Sequence, residues 1–242
     1  MLKKIVKKLI RVIKTPFILA DFYKFKKIAV DGRFSVRLSD FQPQLFDKTS
    51  KISFDRHYLY HPAWAARVVS RIMPKVHVDI SSILHFGTIV SAFVPVKFYD
   101  YRPANIELPG YTSDHADLLD LPFESGSVEC LSCMHTVEHV GLGRYGDPQD
   151  ADGDLKAIKE LKRVLSPGGN LLFVVPIGQP KIEFNAHRIY SYAQIMEYFD
   201  DLELKEFTLI SEMGGAPIVN ATEEQANAER YGCGCFWFNK TN

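Results

Sequence analysis

Apolar positions fall into two rhythms along this chain. From residue 76 onward, short apolar runs alternate with stretches of helical period. Val76-His77-Val78-Asp79-Ile80, Val96 to Asp100, Thr112 to Ala116 and Val128 to Met134 read as strands, with a helix over Ile83 to Phe93. Asp154 caps a helix whose Leu155, Ile158, Leu161 and Leu165 keep one apolar face, and Ser166-Pro167-Gly168-Gly169 stops it. Asn170 to Pro176 is a buried strand, and Ser191 with Gln194 forms a capping box before Ile195, Met196 and Phe199. Leu202 to Ile210 and Cys233 to Phe238 supply two more strands. Alternating strands and helices with apolar strands predict an α/β fold, a mostly parallel sheet with helices on both faces. In such sheets ligands lie beyond the carboxyl ends of the strands.

The first 75 residues read differently. Leu2, Ile5, Val6, Leu9 and Ile13 recur at helical spacing with lysines between them, and Pro16 should end or bend that helix. Residues 29–75 mix short apolar pieces with turn residues. Pro62 suits a helix start, with Ala63 to Met73 as the helix. The chain therefore divides into a basic amphipathic arm (1–28), a helical or lid segment (29–75) and a main domain (76–242).

Charge sharpens this division. The 242 residues carry 29 basic and 29 acidic side chains, but residues 1–28 hold nine basic and one acidic, which leaves the rest at a net of −8. An acidic body argues against nucleic acid, whereas an arm of this kind suits contact of residues 1–14 with an anionic membrane. A solvated helix packed on its own domain is the alternative. With 46% hydrophobic residues the chain can build a sizeable core, and its four cysteines are too few for a disulfide framework. No apolar run suits a membrane span, so a cytoplasmic, membrane-peripheral protein is expected.

Carboxylates close successive strands: Asp79 the first, Asp100 the second, and Asp117 after the third. The second is placed for a ribose diol and the third for an adenine amino group. Three further segments carry a resemblance. Leu121-Pro122-Phe123-Glu124-Ser125-Gly126-Ser127-Val128-Glu129, Thr136-Val137-Glu138-His139-Val140 and Lys159 to Leu171 (KELKRVLSPGGNL) resemble, in order and spacing, motifs of the class I S-adenosylmethionine-dependent methyltransferases. The Gly141 to Pro148 insert resembles an uncharacterised branch of that superfamily. The resemblance implies a Rossmann-like sheet of seven strands in the order 3-2-1-4-5-7-6, the last antiparallel. It also implies S-adenosylmethionine as cofactor, held by Asp79, Ser81, Asp100, Asp117 and Leu118. One departure stands out: Ser81 and Ser82 occupy the first turn, where that superfamily places glycine. A methyltransferase-fold scaffold without cofactor is therefore the alternative function.

His135, Glu138 and His139 are spaced i, i+3 and i+4, so a helical turn would put them on one face. They suit general-base chemistry, with His135 or His139 as the base, or a divalent-metal site completed by His187. That set resembles the metal-dependent small-RNA 3′-end methyltransferases, which carry Glu where His135 stands. The same five residues match the H-x-x-E-H pattern of inverted zinc peptidases, but Gly141 and Gly143 cut short the helix such enzymes need. Cys130 and Cys133 point to opposite faces of a strand, Cys233 and Cys235 to the same face, and all four read as small buried residues. His57, Tyr58, Tyr60 and His61 either line a lid or pack. Asp147, Asp150 and Asp152 read as a solvated loop. The expected reaction is O-methylation of a small-molecule or glycan-type substrate.

Overall fold

Asp55, rather than Pro62, sets where the first helix of the main body begins. Its carboxylate accepts a hydrogen bond from the Tyr58 backbone N–H at 3.2 Å and caps α2 (Arg56–Ile72). Pro62 lies inside α2, where the cap and a buried apolar face outweigh the one donor it lacks. Trp64, Ala65, Val68 and Val69 form that face.

The computed structural model describes residues 2–29 and 32–241, and the chain forms two compact units, 1–54 and 55–242. In the first unit, α1 (Leu2–Ile28) runs on through Pro16 rather than ending there. Thr15 Oγ returns a hydrogen bond to the Arg11 carbonyl at 2.7 Å, one residue before the donor that Pro16 lacks. Val6, Leu9, Ile13 and Phe17 are exposed along α1. The side chains of Leu2 and Ile5, which open the expected stripe, lie outside those described. Among the described residues, no helix is long and apolar enough to cross a membrane.

The second unit is a doubly covered sheet. Its strands are β1 (His77–Ile80), β2 (Val96–Asp100), β3 (Tyr111–His115), β4 (Val128–Met134), β5 (Leu165–Ile177), β8 (Glu203–Ile210), β9 (Ile218–Val219) and β10 (Gly232–Asn239), and β6 (Lys181–Glu183) with β7 (His187–Ile189) makes a separate ribbon. The order is β3-β2-β1-β4-β5-β10-β8-β9. The expected seven strands are present in the expected order, and the short edge strand β9 makes an eighth. Strands β1 to β5 pair in parallel, while β10 runs antiparallel to both β5 and β8.

Alternation along β5 divides the core. Leu171, Phe173, Val175 and Ile177 face one side with α4 (Gly153–Val164) and α5 (Tyr192–Tyr198). Leu172 and Val174 face α2 and α3 (Leu84–Val90) on the other. Phe199 packs against Phe173 and Phe238, each pair of ring centroids 4.8 Å apart, and truncating such a ring to Ala costs about 3–5 kcal/mol. Asp154 is not the cap of α4. It is buried in the first turn, accepts a hydrogen bond from Tyr190 Oη at 2.9 Å, and lies 3.5 Å from Arg188 Nε.

Candidate functional site

The parallel register brings the carboxyl ends of β1, β2, β3 and β4 to one edge, and there a cavity of about 440 Å³ opens. That volume suits a small-ligand site. Two residues at its base have left-handed backbones although neither is glycine: Ser81 after β1 and His135 after β4, both with φ of 55°. Such a conformation costs roughly 1–2 kcal/mol for an L-residue. At Ser81, hydrogen bonds hold it in place. Its N–H donates to the Tyr99 carbonyl at 2.7 Å, and its own carbonyl accepts from Thr136 Oγ at 3.0 Å. Ser82 Oγ accepts from the Met134 N–H at 3.1 Å. The serines thus tie β1 to β4 and supply the turn that glycine was expected to make.

Asp100, Asp117, Leu118 and Ser81 line the cavity. One oxygen of Asp100 accepts from the Arg102 N–H at 2.7 Å, and one of Asp117 from the Leu119 N–H at 2.8 Å. Each carboxylate keeps a second oxygen for a ligand. Asp79 does not line the cavity, contrary to the sequence expectation, because its side chain turns down into the sheet. There Cys130 Sγ, His77, Ser132 Oγ and Asp79 Oδ1 form a chain with contacts of 3.1, 2.9 and 2.6 Å. The Ser132 hydroxyl donates to Asp79, so His77 Nε2–H donates to Ser132 and Nδ1 faces the thiol. Burial lowers His77 to about 3 and, with the neighbouring Asp100, raises Asp79 to about 7 against the hydrogen bonds from Ser132 and Ser82.

Val137–His139 is a single 3-10 turn, and His135 stands before it rather than on a common helical face. Glu138, fully enclosed, accepts from His135 Nδ1 at 2.9 Å and lies 3.8 Å from His139 Nε2. His139 Nδ1 donates to the Ala186 carbonyl at 2.7 Å. That bond fixes the tautomer and leaves the Nε2 lone pair available, and the ring lines the cavity. Burial lowers His139 below the ordinary histidine value, against the pull of Glu138. Burial opposes the charge on Glu138, yet the hydrogen bond and positive field of His135 hold its carboxyl below the usual range.

The expected metal set does not assemble. His187 Nε2 lies 3.5 Å from Glu183, and the His139 and His187 ring centroids are 6.4 Å apart. Among the described residues, the donor atoms that lie within 4.8 Å of one another belong to His57, His135 and Cys233. Sequence reasoning left His57 as lid or packing and read Cys233 as a small buried residue, because nothing in their spacing links α2, β4 and β10.

The acidic loop is built rather than merely solvated. Asp147 accepts hydrogen bonds from the N–H groups of Gly141, Gly143 and Tyr145 at 2.9, 3.3 and 3.1 Å. The buried Arg188 donates to the Val140 and Ala151 carbonyls at 2.7 and 3.1 Å, clasping both ends of that loop over the cavity. Arg188 was missed because its partners are backbone atoms far away in the chain.

This architecture is the fold of the class I S-adenosylmethionine-dependent methyltransferases, and solved structures share it. YcgJ from Bacillus subtilis matches with a TM-score of 0.51 at 14% identity, over 76% of this chain and 99% of that one. A proposed sarcosine dimethylglycine methyltransferase from Galdieria sulphuraria matches with 0.52 at 14%, over 74% and 85%. The 1,6-didemethyltoxoflavin-N1-methyltransferase of Burkholderia thailandensis, whose structure holds 1,6-didemethyltoxoflavin and S-adenosylhomocysteine, matches with 0.50 at 10%, over 76% and 79%. Within this fold, residues 123–219 match a family model described as Caenorhabditis protein of unknown function, DUF268. No curated protein matches the chain by sequence.

Proposed function

We propose that this protein is an S-adenosylmethionine-dependent methyltransferase that methylates a hydroxyl group of a small-molecule or glycan-type substrate. One observation carries the reading: His139 is a neutral imidazole with its Nδ1 hydrogen tied to Ala186 and its Nε2 lone pair left for the cavity beside Glu138. The residues present fit the cofactor. Asp100 keeps an oxygen for a ribose diol and Asp117 one for an amino group, while Leu118 and Met134 give the cavity apolar walls. When bound, S-adenosylmethionine supplies an electrophilic methyl group on a sulfonium. His139 Nε2 takes the hydroxyl proton, and Glu138 stabilises the resulting imidazolium from 3.8 Å. His135 is a poorer base, since Glu138 engages its Nδ1 and Cys233 Sγ lies 3.5 Å from its Nε2.

Calorimetry of the full chain with S-adenosylhomocysteine tests the cofactor. Micromolar binding, weakened at least about tenfold by Asp100→Ala, is expected. No binding by the wild type overturns the enzyme reading in favour of the scaffold. Transfer of a labelled methyl group to hydroxylated acceptors, lost in His139→Ala with cofactor affinity intact, tests the base.

We also propose that the arm contacts anionic membranes, on the observation that Leu9, Ile13 and Phe17 are exposed along a lysine-rich helix. Co-sedimentation with anionic liposomes that is unchanged by deletion of residues 1–14 would exclude it.

A further inference from the structure

Four buried side chains meet where α2, the end of β4 and β10 converge. His57 and His61 are one turn apart on α2, His135 follows β4, and Cys233 is the second residue of β10; none is more than 8% exposed. The His57 and His135 rings stack with centroids 5.5 Å apart, and the His61 ring meets His135 edge-on at 5.0 Å.

Two of the three imidazoles already have one nitrogen engaged. His135 Nδ1 donates to Glu138, which aims Nε2 at Cys233 Sγ at 3.5 Å, and a bound ion would displace any proton that Nε2 carries. His61 Nδ1 donates to the His57 carbonyl at 2.7 Å, which leaves Nε2 as a lone pair. A histidine held by a carboxylate or a carbonyl through one nitrogen, with the other nitrogen directed at a common point, is the arrangement that supports metal ligands.

Two buried atoms in this region have no hydrogen-bond partner: His61 Nε2 and Glu138 Oε2. Both are electron-pair donors. Three rings, a thiol and a carboxylate are therefore enclosed together with two electron-pair donors unused.

We propose that His57, His135 and Cys233 bind one zinc-class divalent ion, and that the unpartnered His61 Nε2 shifts inward to take the fourth position. Their donor atoms already lie within 4.8 Å of one another. Bonds of about 2.05 Å to nitrogen and about 2.3 Å to sulfur at a tetrahedral angle give a nitrogen–sulfur edge of about 3.5 Å, matching the His135–Cys233 separation. Imidazole with thiolate selects zinc over magnesium or calcium. Binding converts the Cys233 thiol to a thiolate and releases its proton to solvent. The ion joins α2 to two strands from distant parts of the chain, and it does so beneath the cavity wall that His135 forms. This proposal does not rest on the methyltransferase reading.

The test uses the full chain, purified without a metal-binding tag and titrated with zinc or cobalt(II) against a chromophoric chelator. One ion per chain is expected, and the cobalt form should show a thiolate-to-metal charge-transfer band with strong tetrahedral ligand-field absorption. Cys233→Ser should abolish that band, and His57→Ala should weaken affinity at least tenfold. Cys130→Ser, a buried thiol outside the cluster, should leave both unchanged. Glu138→Gln should weaken affinity about 10–100-fold through the His135 ring. Absence of the band in the wild-type protein, or equal affinity in wild type, Cys233→Ser and His57→Ala, overturns the proposal. The wild-type spectrum decides the matter even where a variant does not fold.

Discussion

Glu138 accepts a hydrogen bond from His135 Nδ1 at 2.9 Å inside a space closed to solvent, with the carboxylate 1% exposed. Breaking a buried pair of this kind leaves a group unpaired. Glu138→Ala should therefore cost about 3–5 kcal/mol in chemical denaturation. Glu138→Gln, which keeps an acceptor, should cost about 1–3 kcal/mol. The depressed carboxyl stabilises the fold above its unfolded value, and that contribution is lost as pH falls through its lower folded value. Acid denaturation followed by circular dichroism should show this loss in the wild type and not in Glu138→Gln.

Asp79 has the opposite sign. Burial raises its carboxyl to about 7, so between about pH 4 and pH 7 only the folded state holds the proton. Stability from this group is present at low pH and falls as pH rises across that window, by an amount on the order of 4 kcal/mol. Asp79→Asn keeps an acceptor for Ser132 and removes the titration. Melting temperatures at pH 5 and pH 8 should differ less in the variant than in the wild type; an equal difference would remove Asp79 as the source.

The base assigned to His139 carries its own pH signature. Burial holds the ring below the ordinary histidine value, so it is neutral throughout the neutral range. The rate of methyl transfer should lose its acid limb only below about 6.5, the unperturbed histidine value. His139→Ala should lower the maximal rate about 10²–10⁴-fold. A wild-type profile that rises only above pH 8 would assign the base elsewhere.

Gly141 has φ of 79°, and a methyl group on its Cα would fall inside the Asp150 carbonyl oxygen. Gly141→Ala therefore forces apart the two ends of the loop that Asp147 and Arg188 organise. Thermal denaturation should report a loss of at least about 2 kcal/mol, and faster proteolysis between residues 141 and 150 should accompany it. Native stability with unchanged cleavage would show that the loop closes without this contact.

At Ser81 the left-handed backbone discriminates by side-chain shape. Ser81→Gly should lie within about 1 kcal/mol of the wild type, whereas the branched Ser81→Val should cost about 2 kcal/mol or more. Urea midpoints measure both.

The sheet was legible because apolar runs and their spacers obey local rules. Asp79, Asp100 and Asp117 were correctly placed at strand ends. Which way the Asp79 carboxylate turns depends on Ser132, 53 residues away, and no local rule contains that. His139 was legible as a candidate base, but its tautomer is set by the Ala186 carbonyl, 47 residues on. His57 and Cys233 meet across 176 positions of sequence, and nothing local marks either as a ligand. Ser81 went the other way: the sequence suggested that the turn resists a serine, and long-range hydrogen bonds supply what the residue lacks.

Strand β10 is synthesised after both β5 and β8, yet it lies between them. Until it has left the ribosome, the facing edges of those two strands have no mate, and the nascent chain carries two open templates for intermolecular pairing. The same strand brings Cys233, so the proposed ion site lacks its sulfur ligand until that late moment. Closure of this sheet therefore waits on a single strand rather than on gradual accretion.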